Sequence, residues 1–464
     1  MTDPAGYAVR SFWLESCGDD LTPRPALSSA DADVAILGAG YTGLWTAFYL
    51  LQREPSMRVA LVEREIAGFG ASGRNGGWCV GAFPLSAGEF ERRFGREAAR
   101  ELALAMIETV DEVQRASASA GIDCQFSKGG VLRVAKGRHQ LPALEHTYTQ
   151  NSRLGLSSHF QRLSAASVAE RVRVDGCVGG LFSPDAAMLH PGRLVRGLAR
   201  AVERRGAVIY EQTEVTGYRD GGAAGRCLVT ARGELRAPTL VLAGEAYLTE
   251  LAPLHRQLIP VYSQIALSKP LSESQWAEIG WAGRETISSM RLSVDYAART
   301  SDGRLVFGSR GARYRFGSRI DAGSDRDAGV DQAIRRLVIS WFPSLQGVRF
   351  SHGWGGPLGV PRDWMPTVLF DAASGIGTAR GYGGRGVATA NLAGRILASL
   401  IIDGSSPLGH LPLVGHRSRS WEPEPLRWLG VRLAQRGLER VDLRAERSGR
   451  APSGRSLAER LGRH

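Results

Sequence analysis

The sequence predicts an α/β protein: a Rossmann-type nucleotide-binding domain into which a second domain, built around a mixed sheet, is inserted. Three observations predict it. A strand, a glycine turn, a helix, a second strand and a terminal acid follow one another over residues 34–63. Apolar strand-length runs and helical patterns recur at 191–210, 240–242 and 386–400. The two blocks that separate these stretches are patterned differently, and one carries a hairpin signal around Asp302-Gly303.

The first unit is read residue by residue. Val34–Leu37 is a short apolar run suited to a buried parallel strand. Gly38, Gly40 and Gly43 form G-x-G-x-x-G, with Tyr41 and Thr42 before the last glycine. Leu44, Ala47, Phe48 and Leu51 then recur at i, i+3, i+4 and i+7, one face of a helix. A second apolar run, Val59–Val62, leads into Glu63, 20 residues beyond the last glycine. In such a unit the first glycine makes the turn and the second lets a pyrophosphate approach the backbone. The third lets the helix pack on the strand, and the acid accepts ribose hydroxyls. The helix N-terminus adds free N–H groups and partial positive charge. A glycine turn without a ligand is the alternative, and the flanking strand, helix and acid weigh against it.

Composition bounds the rest. A chain of 464 residues, 43% hydrophobic, is long enough for roughly two to three domains. Its opening, MTDPAGYAVR, has no apolar leader, and no run of about 18 uncharged apolar residues occurs, so neither a secretory signal nor a membrane span is expected. The cysteines at 17, 79, 124, 177 and 227 are scattered without a CxxC. That argues against a structural zinc site and fits a reducing cytoplasm; no metal is expected. The net charge of +12 is carried by arginine, with lysine only at 128, 136 and 269. Residues 416–464 hold twelve arginines against six acids, half of the excess. No motif of aromatic and basic residues accompanies the charge, so a nucleic-acid partner is not expected.

After Glu63 comes REIAGFGASGRNGGWCVGAF, where an NAD-binding fold would continue its strand–helix alternation. Small residues at Ala71, Gly76 and Gly77 let backbone approach a flat ligand, while Ser72, Arg74 and Asn75 have donors for phosphate or flavin ring oxygens. Further on stand HPGRLVRGLARAVERRGAVIYEQTEV, LVLAGEAYL and GYGGRGVATANLAGRIL. On these motifs, GAGYTG, Glu63 and GASGRNGG, in order over about residues 11–410, the chain resembles the glycine oxidase/D-amino acid oxidase superfamily of FAD-dependent oxidoreductases. Within it the likeness is to the gamma-glutamylputrescine oxidase-like branch. The resemblance implies FAD as cofactor and a glutathione-reductase-like FAD-binding domain.

Each later motif has its own reading beside the one the resemblance implies. Residues 191–206 form an amphipathic helix through Leu194, Leu198 and Val202, followed by a strand at 207–210. At 213–216 the resemblance implies a backbone contact from Val215 to adenine; a further strand of the sheet also fits. Residues 240–242 are a buried strand, after which the resemblance brings Ala243 and Gly244 close to the cofactor. GYGGRGV precedes a helix with Leu392, Ile396 and Leu400 on one face. The resemblance puts Gly383, Gly384, Arg385, Gly386 and Val387 at the flavin pyrimidine edge, where a helix N-terminus stabilises negative charge. A ligand-free turn is the alternative there too. Some relatives attach the flavin through a cysteine in the C-terminal half or a histidine after the glycine motif. No cysteine follows Cys227 and no histidine lies in 69–77, so non-covalent FAD is expected.

The inserted blocks are 86–160 and 256–350. The first holds a long helix (Leu102, Met106, Val110, Val113) and a strand within 121–135; the second holds the hairpin within 291–311. Together they are read as the substrate domain, with 1–85, 161–255 and 351–415 as the discontinuous FAD-binding domain and 416–464 as a basic tail. In that tail Leu426, Trp428, Leu429, Leu433 and Leu438 suit a docked helix. From Arg444 onward the chain is polar and expected to fray, and the tail is expected to be dispensable for catalysis.

No second strand–GxGxxG–helix is present to hold NADPH; GIGTARG at 375–381 has the wrong spacing and no later acid. The C-terminal Gly-Asp of flavin hydroxylases is replaced here by GYGGRGV. Electrons are therefore expected from a small-molecule amine, and the resemblance implies hydride transfer from a C–H next to nitrogen to flavin N5. The resulting imine would be hydrolysed, and oxygen or another acceptor would take the electrons onward. The flavin carries that chemistry, so no catalytic side chain is assigned. Pocket candidates are Tyr262 and Gln264, where the chain re-enters the substrate domain, and Trp354 and Tyr382, flanking the flavin face. A plain core role suits each equally well, and His190 and His352 are read as structural. In amino-acid-oxidising relatives, an arginine five residues before the aspartate of a Trp-to-Asp segment clamps the substrate carboxylate. The matching segment, Trp354 to Asp363, has Leu358 at that position, with Arg362 or Arg385 able to approach from elsewhere. An amine without an adjacent carboxylate is therefore expected. Two other readings stay open: another flavoprotein of the same fold, such as a monooxygenase or imine-forming biosynthetic oxidase, and a non-catalytic flavin-bound interaction module.

Overall fold

Strands Val34–Leu37 and Val59–Val62 lie side by side and parallel, and four more strands extend them into one sheet. In this computed structural model, which describes residues 4–221, 225–454, 456 and 459, the order is Thr367–Asp371, Ile376–Arg380, Thr239–Leu242, Val34–Leu37, Val59–Val62, Val208–Tyr210. All neighbours are parallel except the first pair. The period of two divides each strand between two buried faces. Val34, Ile36, Val59, Leu61 and Val241 meet helices Tyr41–Arg53, Arg96–Ser119, Pro191–Arg204 and Gly386–Asp403. Ala35, Ala60, Val62, Leu240 and Leu242 meet Leu228 and Leu235 of a small four-stranded sheet. Both faces are covered, which is why these strands read as unbroken apolar runs.

Two glycines set the depth of the helix layer. A Cβ on Gly43 would stand 2.0 Å from the Gly38 carbonyl oxygen, so helix Tyr41–Arg53 sits directly on the strand that precedes it. A Cβ on Gly394 would stand 2.8 Å from Trp45 Cβ, bringing helix Gly386–Asp403 against the first helix. Among the described residues, that C-terminal helix is the one long and apolar enough to cross a membrane, and it is a core helix here.

The second sheet is mixed and has eight strands, in the order Phe350–Val360, Ile259–Ser268, Leu305–Arg310, Asp295–Arg299, Thr286–Ser289, Val131–Lys136, Cys177–Ser183, Gln161–Ser164. The pair Thr286–Ser289 and Val131–Lys136 is parallel and the rest antiparallel. The hairpin forms around Asp302-Gly303. This sheet draws strands from both sides of the expected boundaries at residues 160 and 350. Polar Gln161–Ser164 and glycine-bearing Cys177–Ser183 lack the alternation that would have marked them as strands. Val215–Arg219 is a strand too, but of the four-stranded sheet rather than the parallel one.

The tail departs from expectation. Helix Leu426–Ser448 continues past Arg444, and its buried face is Arg427, Val431, Leu438, Asp442 and Ala445, while Leu426, Leu429 and Leu433 are exposed. Polar contacts dock it: Asp442 accepts the N–H groups of Leu292 and Ser293 at 3.0 and 2.7 Å, and Glu424, paired with Arg427, accepts the Tyr314 hydroxyl at 3.0 Å and the Gly317 N–H at 2.9 Å. A leucine count could not reveal such a face. The expected fraying of the last residues concerns 455, 457, 458 and 460–464, which lie outside the described residues.

His190 caps helix Pro191–Arg204 by accepting the Arg193 N–H at Nδ1, so its proton sits on Nε2 and faces Ser16 Oγ at 3.1 Å. Burial lowers its pKa to about 4 from 6.5. Between those values the unfolded chain binds a proton that the folded chain refuses, so the stability His190 contributes is full above pH 6.5 and lost as pH falls toward 4. The loss is up to about 3 kcal/mol. Urea unfolding at pH 7 and 4.5 should show this drop in the parent chain and a smaller one in His190→Asn, which keeps a capping oxygen; equal drops would contradict it.

Candidate functional site

One cavity of about 830 Å³ opens where the C-terminal ends of the parallel strands face the eight-stranded sheet. Its near wall is the turn after Leu37. Gly38 adopts φ +98°, and a Cβ there would press on the Ala243 carbonyl at 2.8 Å. Gly40 is the N-cap of the first helix and has no side chain to cap it. Ser72 Oγ accepts the Tyr41 N–H at 2.8 Å, and its own hydrogen has no acceptor among the described residues. The N–H groups of Thr42 and Gly43 in the first turn have no capping side chain. These free donors at an N-terminus, beside glycine backbone, fit a pyrophosphate.

Glu63 lies at the end of the adjacent strand, buried, with Oε2 accepting the Ala39 N–H at 3.0 Å and Oε1 the Glu65 N–H at 3.1 Å. Burial raises its carboxyl pKa against the lowering pull of those two amides. Each oxygen keeps a second lone-pair site for a ribose hydroxyl. Val215 and Ala243-Gly244 line the same end of the cavity.

Two strands along the same edge from the Gly38 turn stands the turn Gly381–Arg385, where Gly381, Gly383 and Gly384 all have positive φ. It leads into helix Gly386–Asp403, which has no side-chain cap. Gly383 to Val387 all line the cavity. Two helix N-termini therefore face one space side by side, with Tyr382 Oη 2.8 Å from Thr42 Oγ1, an arrangement that fits a dinucleotide whose flavin would meet the second helix.

Other predicted residues go elsewhere. Arg74 lines the cavity, but its guanidinium is taken up by Asp325 at 2.8 Å, Tyr247 Oη at 2.6 Å and the carbonyls of Gly355 and Gly70. It ties the glycine segment to the second sheet rather than donating to a cofactor. Asn75 spends both amide hydrogens on the Ala71 and Ser72 carbonyls and accepts the Gly77 N–H, so it shapes the turn. Ala71, Ser72 and Gly76 line the cavity; Gly43 and Gly77 do not, and a Cβ on Gly77 would meet the Leu189 carbonyl at 2.6 Å.

Of the four pocket candidates, Tyr262 and Tyr382 line the cavity. Gln264 and Trp354 do not: Gln264 is held by the Asp327 backbone on both sides, and Trp354 Nε1 donates to the Arg74 carbonyl at 2.9 Å. His352, paired with Glu15 at 2.7 Å, lies outside the cavity, as does His190.

Two features escaped the sequence reading. Glu245, at φ +49°, is a buried acid whose carboxylate accepts three backbone N–H groups: Gly359 at 2.7 Å, Gly381 at 2.9 Å and Tyr382 at 3.1 Å. It pins the turn at one end of the cavity to the edge strand of the second sheet. The other feature is cationic. Leu358 lines the cavity, so the usual clamp position is indeed apolar, and Arg362 is turned away onto Glu422. Yet Arg133, Arg310 and Arg385 also line the cavity, and none makes a hydrogen bond or ion pair with a described residue. Burial, and then the neighbouring Arg385, push Arg133 down to about 10; burial lowers Arg310 and Arg385 as well. Arg385, read from the sequence as one cation able to approach, is thus joined in the wall by Arg133 and Arg310. The tail also reaches this end, since the Leu292 held by Asp442 is part of the wall. It is therefore not remote from the site.

Comparison with known proteins agrees with this geometry. The family model described as DAO, FAD dependent oxidoreductase, matches residues 33–400. The chain is 29% identical over 398 residues to gamma-glutamylputrescine oxidoreductase of Escherichia coli, covering 84% of this chain and 89% of that one. It is 30% identical over 400 residues to the probable oxidoreductase OrdL of Rhizobium meliloti, covering 85% and 89%. Among solved structures, glycine oxidase of Geobacillus kaustophilus superposes with a TM-score of 0.66 at 22% identity, covering 83% of this chain and 99% of that one.

Replacing Glu63 by alanine should weaken FAD binding by about tenfold or more, since two charge-assisted hydroxyl contacts disappear. The Ala39 and Glu65 amides lose their acceptor as well, so the apoprotein should lose about 1–3 kcal/mol of stability. Fluorescence titration of apoprotein with FAD checks the first effect, and an unchanged affinity would assign the ribose to another acceptor.

Proposed function

The chain belongs to the DAO family of FAD-dependent oxidoreductases, and from that premise we propose that it oxidises a C–N bond of an amine or amino-acid-like substrate. The observation that carries this reading is the continuity of the cavity: the glycine turns suited to FAD and a wall of the eight-stranded sheet enclose one space. The relatives named gamma-glutamylputrescine oxidoreductase and glycine oxidase act, by those names, on an amine and an amino acid.

In this reading Gly38 to Thr42 and Ser72 hold the pyrophosphate, Glu63 the ribose, Val215 the adenine, and Gly383 to Val387 the pyrimidine edge. When bound, FAD supplies the acceptor for two electrons and a hydrogen from the carbon next to nitrogen. The nitrogen gives up a proton as the C=N bond forms, and water then converts the imine to a carbonyl compound and a free amine. The chain's own part is to orient the substrate, exclude water and bring the amine in neutral. Arg133, Arg310 and Arg385 disfavour an ammonium beside them, which lowers the amine's pKa. Burial raises Tyr262 and Tyr296 to about 12, so these wall tyrosines stay protonated near neutral pH and serve as donors rather than bases.

FAD is held without a covalent bond in this account, since among the described residues no cysteine or histidine lines the cavity. A cytoplasmic setting is supported by the five free cysteines. Acid precipitation of the yellow holoenzyme should release all flavin into the supernatant; colour kept in the pellet would contradict non-covalent binding. Anaerobic mixing with an amine panel should bleach the flavin and yield a carbonyl product without NADPH. A strict need for NADPH would instead favour a monooxygenase.

A further inference from the structure

Arg133, Arg310 and Arg385 come from three separate places in the chain yet serve one space. Register explains the first two. Arg133 pairs with Ser288, Ser288 with Tyr296, Tyr296 with Gly308 and Gly308 with Ile265, so these residues form one row across a single face of the eight-stranded sheet. Arg310 stands two residues beyond Gly308, on the same face. That face is the cavity wall. Arg385 comes from the turn before helix Gly386–Asp403, close enough for its charge to act on Arg133.

Their charge is not balanced by the protein. Arg133 Nη1 and Arg310 Nε are buried without a hydrogen-bond partner, and Arg385 has no acceptor for its guanidinium among the described residues. Arg291, also in the wall, already has Glu446 at 3.3 Å. Two acids stand near: Asp295 Oδ1 is taken by the N–H and hydroxyl of Ser289, and Asp442, whose charge acts on Arg310, is taken by the Leu292 and Ser293 N–H groups. A cofactor pyrophosphate does not account for the cluster either, because the glycine turn and Ser72 that suit it lie at the first helix, and the flavin edge would be met by backbone N–H groups of Gly383–Val387, which leaves the Arg385 guanidinium open. Three guanidiniums thus face carboxylates that are already committed elsewhere, and their hydrogen-bonding forks stay open to whatever enters.

We propose that this pocket takes an amine carrying two carboxylates, held by Arg133, Arg310 and Arg385. The assignment rests on the amine-oxidation reading for the reacting bond and on the arginines alone for the two acids. One carboxylate is a bidentate match for one guanidinium, and lysine or leucine cannot reproduce that fork. A single carboxylate would leave buried nitrogens such as Arg133 Nη1 or Arg310 Nε without a partner, an unfavourable state.

Two readouts on the holoenzyme test it. First, glutarate and butyrate, unreactive mimics with two and one carboxylates, are titrated at constant ionic strength while the flavin spectrum is followed. Glutarate should bind about tenfold or more tightly than butyrate. Arg133→Leu and Arg310→Leu should each remove most of that preference with FAD still bound, and Arg133→Lys should restore part of it. Equal affinities, or a preference unmoved by every arginine variant that keeps its flavin, would overturn the proposal. Second, anaerobic flavin reduction is compared among N-methylglutamate, N-methylalanine and N-methylbutylamine, with two, one and no carboxylates. Apparent affinity should fall in that order, and a flat or reversed order would also overturn it. Tight glutarate binding with no reduction by any amine would refute the oxidation reading while supporting the two-acid site.

Discussion

The structure depends on how closely backbone meets backbone at the end of one strand. With a Cβ on Gly43 placed 2.0 Å from the Gly38 carbonyl, no other residue lets the first helix sit where it does. That contact fixes the helix axis, and the axis aims the uncapped N–H groups of the first turn into the cavity. The parallel sheet continues the arrangement sideways: Glu63, Ala243 and the Gly381 turn all follow strand ends at the same edge. A ligand site at the carboxyl edge, where the chain departs to both sides of the first strand, is the general expectation for such sheets.

Glu245 carries that order across to the second sheet. A buried carboxylate with three N–H donors is costly unless every contact is made, so it holds Gly359, Gly381 and Tyr382 in one fixed relation. Arg74 does the same on the other side, joining the Gly70 turn to Asp325 and Gly355. The two charged residues are thus structural ties between the cofactor walls and the substrate wall. The unpaired arginines are the contrast: their charge is left open within the same cavity.

Local periodicity made the nucleotide unit legible, because each element there is continuous in sequence and both faces of its strands are apolar. The same holds for helix Gly386–Asp403 and the Asp302-Gly303 hairpin. Long-range pairing was less legible. Gln161–Ser164 is polar because it is an edge strand, and Phe350–Val360 reads as a glycine-rich loop although ten of its residues pair with Ile259–Ser268. In the site, residue type alone could not show that Gln264 and Trp354 stand outside the cavity, bonded to backbone far away in sequence, or that the side chains of Arg74 and Asn75, which line it, are already engaged by the protein. Leu358 misled for the converse reason. Its position matched a family pattern, while Arg133 and Arg310, which join Arg385 in the cavity wall, stand on strands that only the register brings together.

The central claim is that FAD lies along this cavity with its adenosine at Glu63 and its ring system between the Gly381–Arg385 turn and the arginine-bearing sheet face. A crystal structure of the holoenzyme with glutarate bound tests it most directly. The account predicts ribose hydroxyls on Glu63, phosphates at Gly40 and Ser72, and both glutarate carboxylates on the guanidiniums of Arg133, Arg310 and Arg385. A flavin in the reverse orientation, or glutarate bound away from all three arginines, would contradict it.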